Sequence, residues 1–482
     1  MTLLFNTFSL CPQCSFVEGL GTDKKQWKQA KIVEEENGVV NQLCVCDTHG
    51  EHRITICSDG SFFRKMLRYS PGIMDTTRNT ILDIEEMDKR LTYRDPAFKN
   101  HPLTIEVDLF VAGSSAEFLE DQKLLLNIST ACTAPTVLQN KNYILRLNGK
   151  LTQDMVTLNK KIKLVIKYQR SSGGCNPILL ELSYDRIAEL SKVQETVLLD
   201  SLVHPSMQIY VEKGKEARDV EELRNAYNAL YNISNMQVVL RIMISQPFPC
   251  LTNILELVRF HMVGFTRFIL IEVERTPKQI ISSFKSSENL TMDPLEVLKS
   301  IQKDTHDQLV VGDFYPASVG MILEPFLGLM DMGRYNIRPS PWCGFATCLV
   351  NTPGDESGLG ELRSVPLSRL FDIDLIHSEM IKVLNKIRHK DDKVSLGTMR
   401  DIRKIINSSM RPNMSEYLPT DLLGYAIDSN RRQLMDNTLR DVQFLIVHNL
   451  MDVASIDMVR RTRCSTCGIS GDATVASCTK CL

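Results

Sequence analysis

Paired cysteines near both ends constrain this 482-residue chain more than any other feature. Cys11-Pro-Gln-Cys14 is followed, after 31 residues, by Cys46-Asp-Thr-His49-Gly50. Far downstream, Cys464-Ser-Thr-Cys467 is followed, after ten residues, by Cys478-Thr-Lys-Cys481. Two short hairpins that each present two soft ligands can close a tetrahedron, the geometry structural zinc takes. The first set predicts one zinc or iron ion on Cys11, Cys14, Cys46 and His49. Cys44 and Cys57 are nearby thiols that could replace His49. Such a knuckle buries little apolar surface and is expected to need its metal to fold. Disulfides would suit a secreted chain. The opening residues MTLLFNTFSL have no basic region of the kind a signal peptide carries, so the expected location is cytoplasmic.

Composition enters mainly by exclusion. The formal net charge is −2, so no overall field draws the chain to nucleic acid. No apolar run approaches the ~20 residues of a membrane-spanning helix. The length allows two or three domains around a large core.

The hydrophobic pattern predicts an α/β chain in which strands and helices alternate. Leu124–Ser129, Ile162–Tyr168, Met207–Val211, Met236–Ile244 and Arg267–Val273 read as strands, and Phe345–Asn351 as a sixth. Val220, Leu223, Tyr227 and Leu230 recur at helical spacing, as do Ile254, Leu255, Val258 and Met262. Asp293 with Glu296 three residues on reads as a helix start. The expected organisation is an N-terminal metal knuckle over 1–75, a linker region over 76–123, a partial βα barrel over 124–350, and a helical region over 351–482 that ends in the second cysteine set. In that last region Leu375, Ile376, Met380 and Leu384 share a helix face and read as core.

Several stretches resemble radical S-adenosylmethionine (SAM) proteins, in their tetraether-lipid-synthase-like branch. They are the CPQC and CDTHG knuckles, the Leu124–Gln139 stretch, Ser171–Pro177, Asp313-Phe-Tyr-Pro316, Pro341-Trp-Cys343-Gly344, and the cysteines of the tail; where the branch has a second cysteine-rich motif, this chain has Val111-Ala-Gly-Ser-Ser115, with no cysteine. The resemblance implies a partial (β/α)6 TIM-like barrel. It also implies a [4Fe–4S] cluster on a CxxxCxxC loop and a SAM site at a GGEP turn. The cluster frame falls on Cys132, Thr136 and Gln139, and the turn reads Gly173-Gly174-Cys175-Asn176-Pro177. Cys132, Gly173 and Gly174 therefore remain as cofactor-site candidates, with two thiolates and one acid missing. The resemblance further implies an auxiliary [4Fe–4S] cluster on Cys343, Cys464 and Cys478. The tail alone would suit one zinc on Cys464, Cys467, Cys478 and Cys481, so two ligand sets stay open there.

These residues predict a metal-binding protein of radical SAM fold that has lost SAM-radical chemistry. It would act as a binding protein, or as partner to an active paralogue or to a lipid. Two other functions fit the same residues. One is an enzyme whose unconventional cluster, on Cys132, Cys175 and Cys250, acts on hydrocarbon chains. The other is a zinc-dependent interaction module for nucleic acid or protein, against which the near-neutral charge counts.

Overall fold

The computed structural model describes residues 1–17, 27–69, 104–108, 117–133, 144–148, 155–171, 178–183, 203–211, 225, 239–245, 268–274, 293–323, 339–351, 364–388, 396–412, 442–451, 455–457, 460, 464, 466–470 and 473–476. Two sheets organise them. The first is four-stranded and antiparallel, in the order β1 (Thr2–Leu10), β2 (Trp27–Glu34), β3 (Val40–Cys46), β4 (Gly50–Cys57). Helix α1 (Pro12–Val17) follows β1, and helix α2 (Gly60–Leu67) follows β4. Asp59 caps α2 by accepting from the backbone N–H groups of Ser61 and Phe62, at 2.8 and 3.1 Å. Asp59→Ala is expected to lower stability by about 1 kcal/mol, read from the denaturation midpoint. Asn in its place should recover most of that.

The second sheet has twelve strands. Its centre is β5 (Thr104–Asp108), β6 (Ile144–Asn148), β7 (Ile178–Ser183), β8 (Val203–Val211), β9 (Val239–Ser245) and β10 (Phe268–Glu274), each parallel to the next. β14 (Val442–Asn449) continues the parallel run beside β10. On that side β12 (Gly344–Asn351) pairs antiparallel with β14 and with β11 (Tyr315–Pro316), and β13 (Ser364–Pro366) pairs with β12. On the far side β15 (Thr466–Ser470) lies parallel to β5 and forms a hairpin with β16 (Ala473–Ala476). The chain is thus mixed α/β with a largely parallel sheet. Consecutive parallel strands that stay adjacent need crossovers of one hand, so the described helices that follow β5 and β6 share one face.

Strand alternation explains which face that is. Ile105, Val107, Leu145, Leu147, Leu180 and Ile242 are fully buried, and with their equivalents on neighbouring strands they form the apolar face. Helices α3 (Glu117–Thr133) and α4 (Met155–Ser171) supply Leu124, Ile128, Leu158, Ile162 and Val165 to the same core. The opposite face carries charged residues on β5, β6, β7, β9, β10 and β14, whose side chains link into one series that passes over β8. Arg146 on β6 reaches Glu106 on β5 (2.5 Å) and Glu181 on β7. Arg241 on β9 returns to Glu181 (2.7 and 2.8 Å) and also holds Glu272 on β10. Glu272 meets His448 Nδ1 on β14 at 3.0 Å. Burial pushes the Glu272 carboxyl up, but Arg241, His448 and Arg146 together hold it well below the carboxylate range.

Three sequence expectations are corrected here. Leu124–Ser129 is helix, part of α3, because Leu124 and Ile128 are buried four residues apart while Leu126 faces solvent. Ile162–Tyr168 is helix, part of α4; the lysine alternation is local, and the buried set Leu158, Ile162, Val165, Ile166, Gln169 follows the helical period. Phe345–Asn351 is a strand but runs antiparallel to β14, so it is not a further parallel barrel strand. The strand expectations over Met207–Val211, Met236–Ile244 and Arg267–Val273 fall on β8, β9 and β10. The helix pattern Ile254–Met262 lies outside the described residues, as does all but residue 225 of the one at Val220–Leu230. Asp293 caps α5 (Pro294–Asp304), accepting from Leu295 N–H at 2.9 Å. The region after β13 is helical at α6 (Leu367–Leu370), α7 (Ile373–Arg388) and α8 (Leu396–Ser409). On α7 the buried face is Ile373, His377, Met380 and Val383, shifted from the expected one.

The two sheets share a core. Phe63 packs on Trp342 with ring centroids 4.5 Å apart, and Phe62 on Phe345 at 5.6 Å. Thr7 Oγ1 donates to Asp457 at 2.6 Å, Ser58 N–H to Asp293 at 2.6 Å, and the Tyr69 hydroxyl to Asp374. Among the described residues, no helix is long and apolar enough to cross a membrane.

Candidate metal centre

Antiparallel pairing with β2 makes β1 and β3 run the same way, so both finish at one end of the small sheet. β1 delivers Cys11, and α1 begins at once with Pro12, a residue suited to a first helical turn. That turn carries Cys14. β3 delivers Cys46, and the Asp47-Thr48-His49 turn closes on Gly50, paired with Cys46. Gly50 has φ +75°, the left-handed region in which glycine is unstrained. The spacing Cys-x-x-ligand is therefore local turn geometry, repeated at two neighbouring strand ends.

The four candidate donors, Cys11, Cys14, Cys46 and His49, all lie within 4.8 Å of one another. Cys14 Sγ is 3.7 Å from Cys46 Sγ and 3.3 Å from His49 Nδ1. His49 Nδ1 is 3.6 Å from Cys11 Sγ and 3.8 Å from Cys46 Sγ. Two thiolates sharing a tetrahedral zinc at ~2.3 Å sit ~3.7–3.8 Å apart. The donor set fits a metal ion, and among the described residues no other such group of three or more forms.

The electrostatics fit as well. Burial pushes the Cys46 thiol up, yet the backbone N–H groups of His49 and Thr48 point at its sulfur and bring it down to about 6. Burial also raises Cys11, opposed by the N–H groups of Cys14 and Gln13. Burial and the neighbouring sulfurs Cys46 and Cys11 push Cys14 up to about 12. Three thiolates so close repel one another, and a divalent cation among them removes that repulsion. Lys28 pairs with Asp47 at 2.8 Å beside the turn.

The spare thiols do not join. Cys44 lies 4.0 Å from the Leu10 carbonyl, and burial pushes it up to about 12. Cys57 donates to the Asp59 carbonyl at 3.3 Å. A residue the spacing argument missed does approach: His52 Nε2 is 3.2 Å from Cys11 Sγ. Burial, then the charge of His49, lowers the His52 pKa and favours the neutral ring a metal needs. The signal was the second histidine, three residues after His49.

The remaining candidates fare differently. Cys132 sits in the last turn of α3, which leads to the start of β6. The expected position was beyond a strand's C-terminal end, the edge where βα proteins place their chemistry. Gly173 and Gly174 lie outside the described residues; the element before them is helix α4, not the expected strand. Cys343 precedes β12, where burial raises its pKa, Arg460 opposes this, and the charge of Cys464 adds to it. Cys343 and Cys464 precede β12 and β15, strands on opposite flanks of the parallel run. Cys464 Sγ contacts the Thr466 carbonyl at 3.0 Å. Cys467 is in β15, with its backbone opposite Ala476 of β16. Cys478 and Cys481 lie outside the described residues. The Asp313-Phe-Tyr-Pro316 stretch is an anchor: Asp313 accepts from Ser368 Oγ at 2.7 Å and Arg369 Nη2 at 2.6 Å.

No family model matches the chain, and no curated protein does. Among solved structures, N-acetylneuraminate lyase from Fusobacterium nucleatum is similar over 64% of this chain and 98% of that one, with 10% sequence identity and a TM-score of 0.23.

Proposed function

We infer that the chain is a metal-stabilised binding protein on a radical-SAM-like partial barrel without SAM-radical chemistry. The observation that carries the reading is the converged Cys11, Cys14, Cys46 and His49 group. Three sulfurs and one imidazole at tetrahedral separations suit zinc in a closed, structural site, where the ion holds chain segments together rather than meeting a substrate. Iron is the alternative occupant. Loss of radical chemistry is supported by the ligand deficit. A cluster able to reduce SAM needs three protein thiolates, and Cys132 lies on a crossover helix. The residues after β5, the first parallel strand, run Leu109-Phe-Val-Ala-Gly-Ser-Ser-Ala116 without a cysteine. The tail reading keeps both ligand sets; Cys467, opposite Ala476 at the open end of the β15–β16 hairpin, is compatible with either. The binding role would serve a paralogue that retains the chemistry, or a lipid, within the cytoplasm.

The test is one preparation with two measurements. Protein purified without oxygen should carry one zinc per N-terminal site. After reconstitution with iron and sulfide and reduction by dithionite with SAM, it should form no 5′-deoxyadenosine above a no-protein control. Cleavage product that disappears in Cys132→Ala would replace this reading with the enzyme one. Protein free of zinc and iron would remove the metal reading.

A further inference from the structure

The N-terminal centre holds one donor more than a tetrahedron uses. His52 stands on β4 in register with Cys44 of β3, three residues beyond His49, and the Gly50 turn brings both imidazoles toward Cys11. His52 Nε2 is 3.2 Å from Cys11 Sγ, nearer than His49 Nδ1 at 3.6 Å. A nitrogen and a sulfur bound to one zinc, at ~2.0–2.1 and ~2.3 Å, are ~3.1 Å apart at a right angle and ~3.6 Å apart at the tetrahedral angle. Both imidazole separations from Cys11 fall at that range. The two rings are 6.5 Å apart between centroids, so they approach the sulfur from different sides and do not block each other. His49 completes the compact group with Cys14 and Cys46, whereas His52 lies outside that group and approaches Cys11.

We propose that His52 is the reserve ligand of this centre. With His49 bound, His52 donates its Nε2–H to the Cys11 thiolate and steadies it. When His49 leaves, His52 moves its proton to Nδ1, and Nε2 takes the open position. The fourth position is then exchangeable between two imidazoles, the His52 ring turning from Cys11 toward Cys14 and Cys46 to reach it. Ligand exchange of this kind regulates a metal site by giving incoming ligands or metal acceptors an opening that a closed Cys3His site lacks. The proposal rests on the metal reading above.

The experiment loads the full chain with zinc, and separately with cobalt as a spectroscopic probe, in wild type, His49→Ala, His52→Ala, the double Ala variant and His49→Cys. His49→Cys keeps four ligands and serves as the folded control. The expected result is one metal and tetrahedral cobalt bands in His49→Ala, and loss of metal in the double variant. His52→Ala alone should keep the metal with affinity lower by ~10–100-fold, the usual effect of removing an outer hydrogen-bond partner. His49→Ala losing its metal while His49→Cys keeps it would overturn the reserve role, as would retention by the double variant. A wild type that binds neither metal would instead refute the metal reading itself.

Discussion

Arg241→Met is expected to cost ~3–5 kcal/mol, because it strands two buried carboxylates rather than one. Arg241 is held between Glu181 and Glu272, whose side chains are only 3% and 1% exposed. Without the guanidinium, Glu272 keeps His448 and the more distant charge of Arg146, and Glu181 keeps Arg146. Methionine fills much of the volume, so the loss reads the charge and not a cavity. The measurement is the denaturation midpoint, with the circular dichroism of the remaining folded state as control. A change within ~1 kcal/mol, the size expected for an exposed pair such as Lys299–Glu296, would show that water reaches the ladder and screens it. The double change Arg241→Met with Glu272→Leu should recover part of the loss, since an apolar replacement of a buried pair is often close to neutral. The pH dependence has a definite sign. Glu272 is held below its ordinary value of 4.5 in the folded chain. Its contribution is therefore present above about that pH and fades as pH falls below it. The Arg241→Met variant should show a shallower acid-side loss.

Cys14→Ser is expected to empty the N-terminal centre. The serine hydroxyl does not replace a thiolate at neutral pH, and structural zinc in comparable peptides binds with an apparent ~10–16 kcal/mol, so loss of one sulfur takes most of the occupancy. From the sequence alone, unfolding of the whole knuckle region would follow. The shared core narrows this. Ile32, Val40, Phe63 and Met66 belong to the same buried cluster as the large sheet. The Phe63–Trp342 contact lies at the end of the small sheet away from the metal. Hydrogen exchange should therefore speed up at Cys11–Cys14 and at Cys46–Gly50, while α2 and the β2–β3 turn side stay protected. Unchanged zinc content, together with unchanged protection at Thr48 and His49, would refute the site. Collapse of protection through α2 as well would show that the metal, not the aromatic seam, holds the small sheet.

The metal centre was legible because its geometry is nearly all local. Each Cys-x-x-ligand turn is set by residues adjacent in sequence, and only the pairing of the two turns needs the sheet. The neighbour His52 was hidden because β4 had no strand pattern strong enough to read. Strands β8, β9 and β10 were legible as apolar runs, and α5 through Asp293 and Glu296. β5, β6 and β7 were not, since strands of five or six residues with one central charge look like any mixed segment. That central charge was itself the clue. Glu106, Arg146, Glu181, Arg241, Glu272 and His448 each interrupt an apolar strand; Glu106 stands opposite Arg146 and Glu272 opposite His448, and long side chains make the other links across two residues of register or across β8. The strand readings at Leu124 and Ile162 failed for a complementary reason. An apolar run of five or six residues fits either period, and the helix formers flanking both runs tip them.

The bond from Thr7 to Asp457 joins residues 450 apart in sequence, which sets an order of events at the ribosome. At ~5–20 residues per second, Asp457 emerges roughly 20–90 seconds after Thr7, and Trp342, Phe345 and Asp374 roughly 15–60 seconds after their partners in and beside α2. During that interval Phe62, Phe63 and Tyr69 have no Trp342, Phe345 or Asp374 to cover them. The three thiols of the knuckle are also newly made and near one another. A metal captured at that stage would close the hairpin ends before the seam exists. Nascent chains starved of zinc would then be the ones that expose this aromatic edge longest, and newly synthesised protein, rather than the finished molecule, would bear the cost of scarce metal.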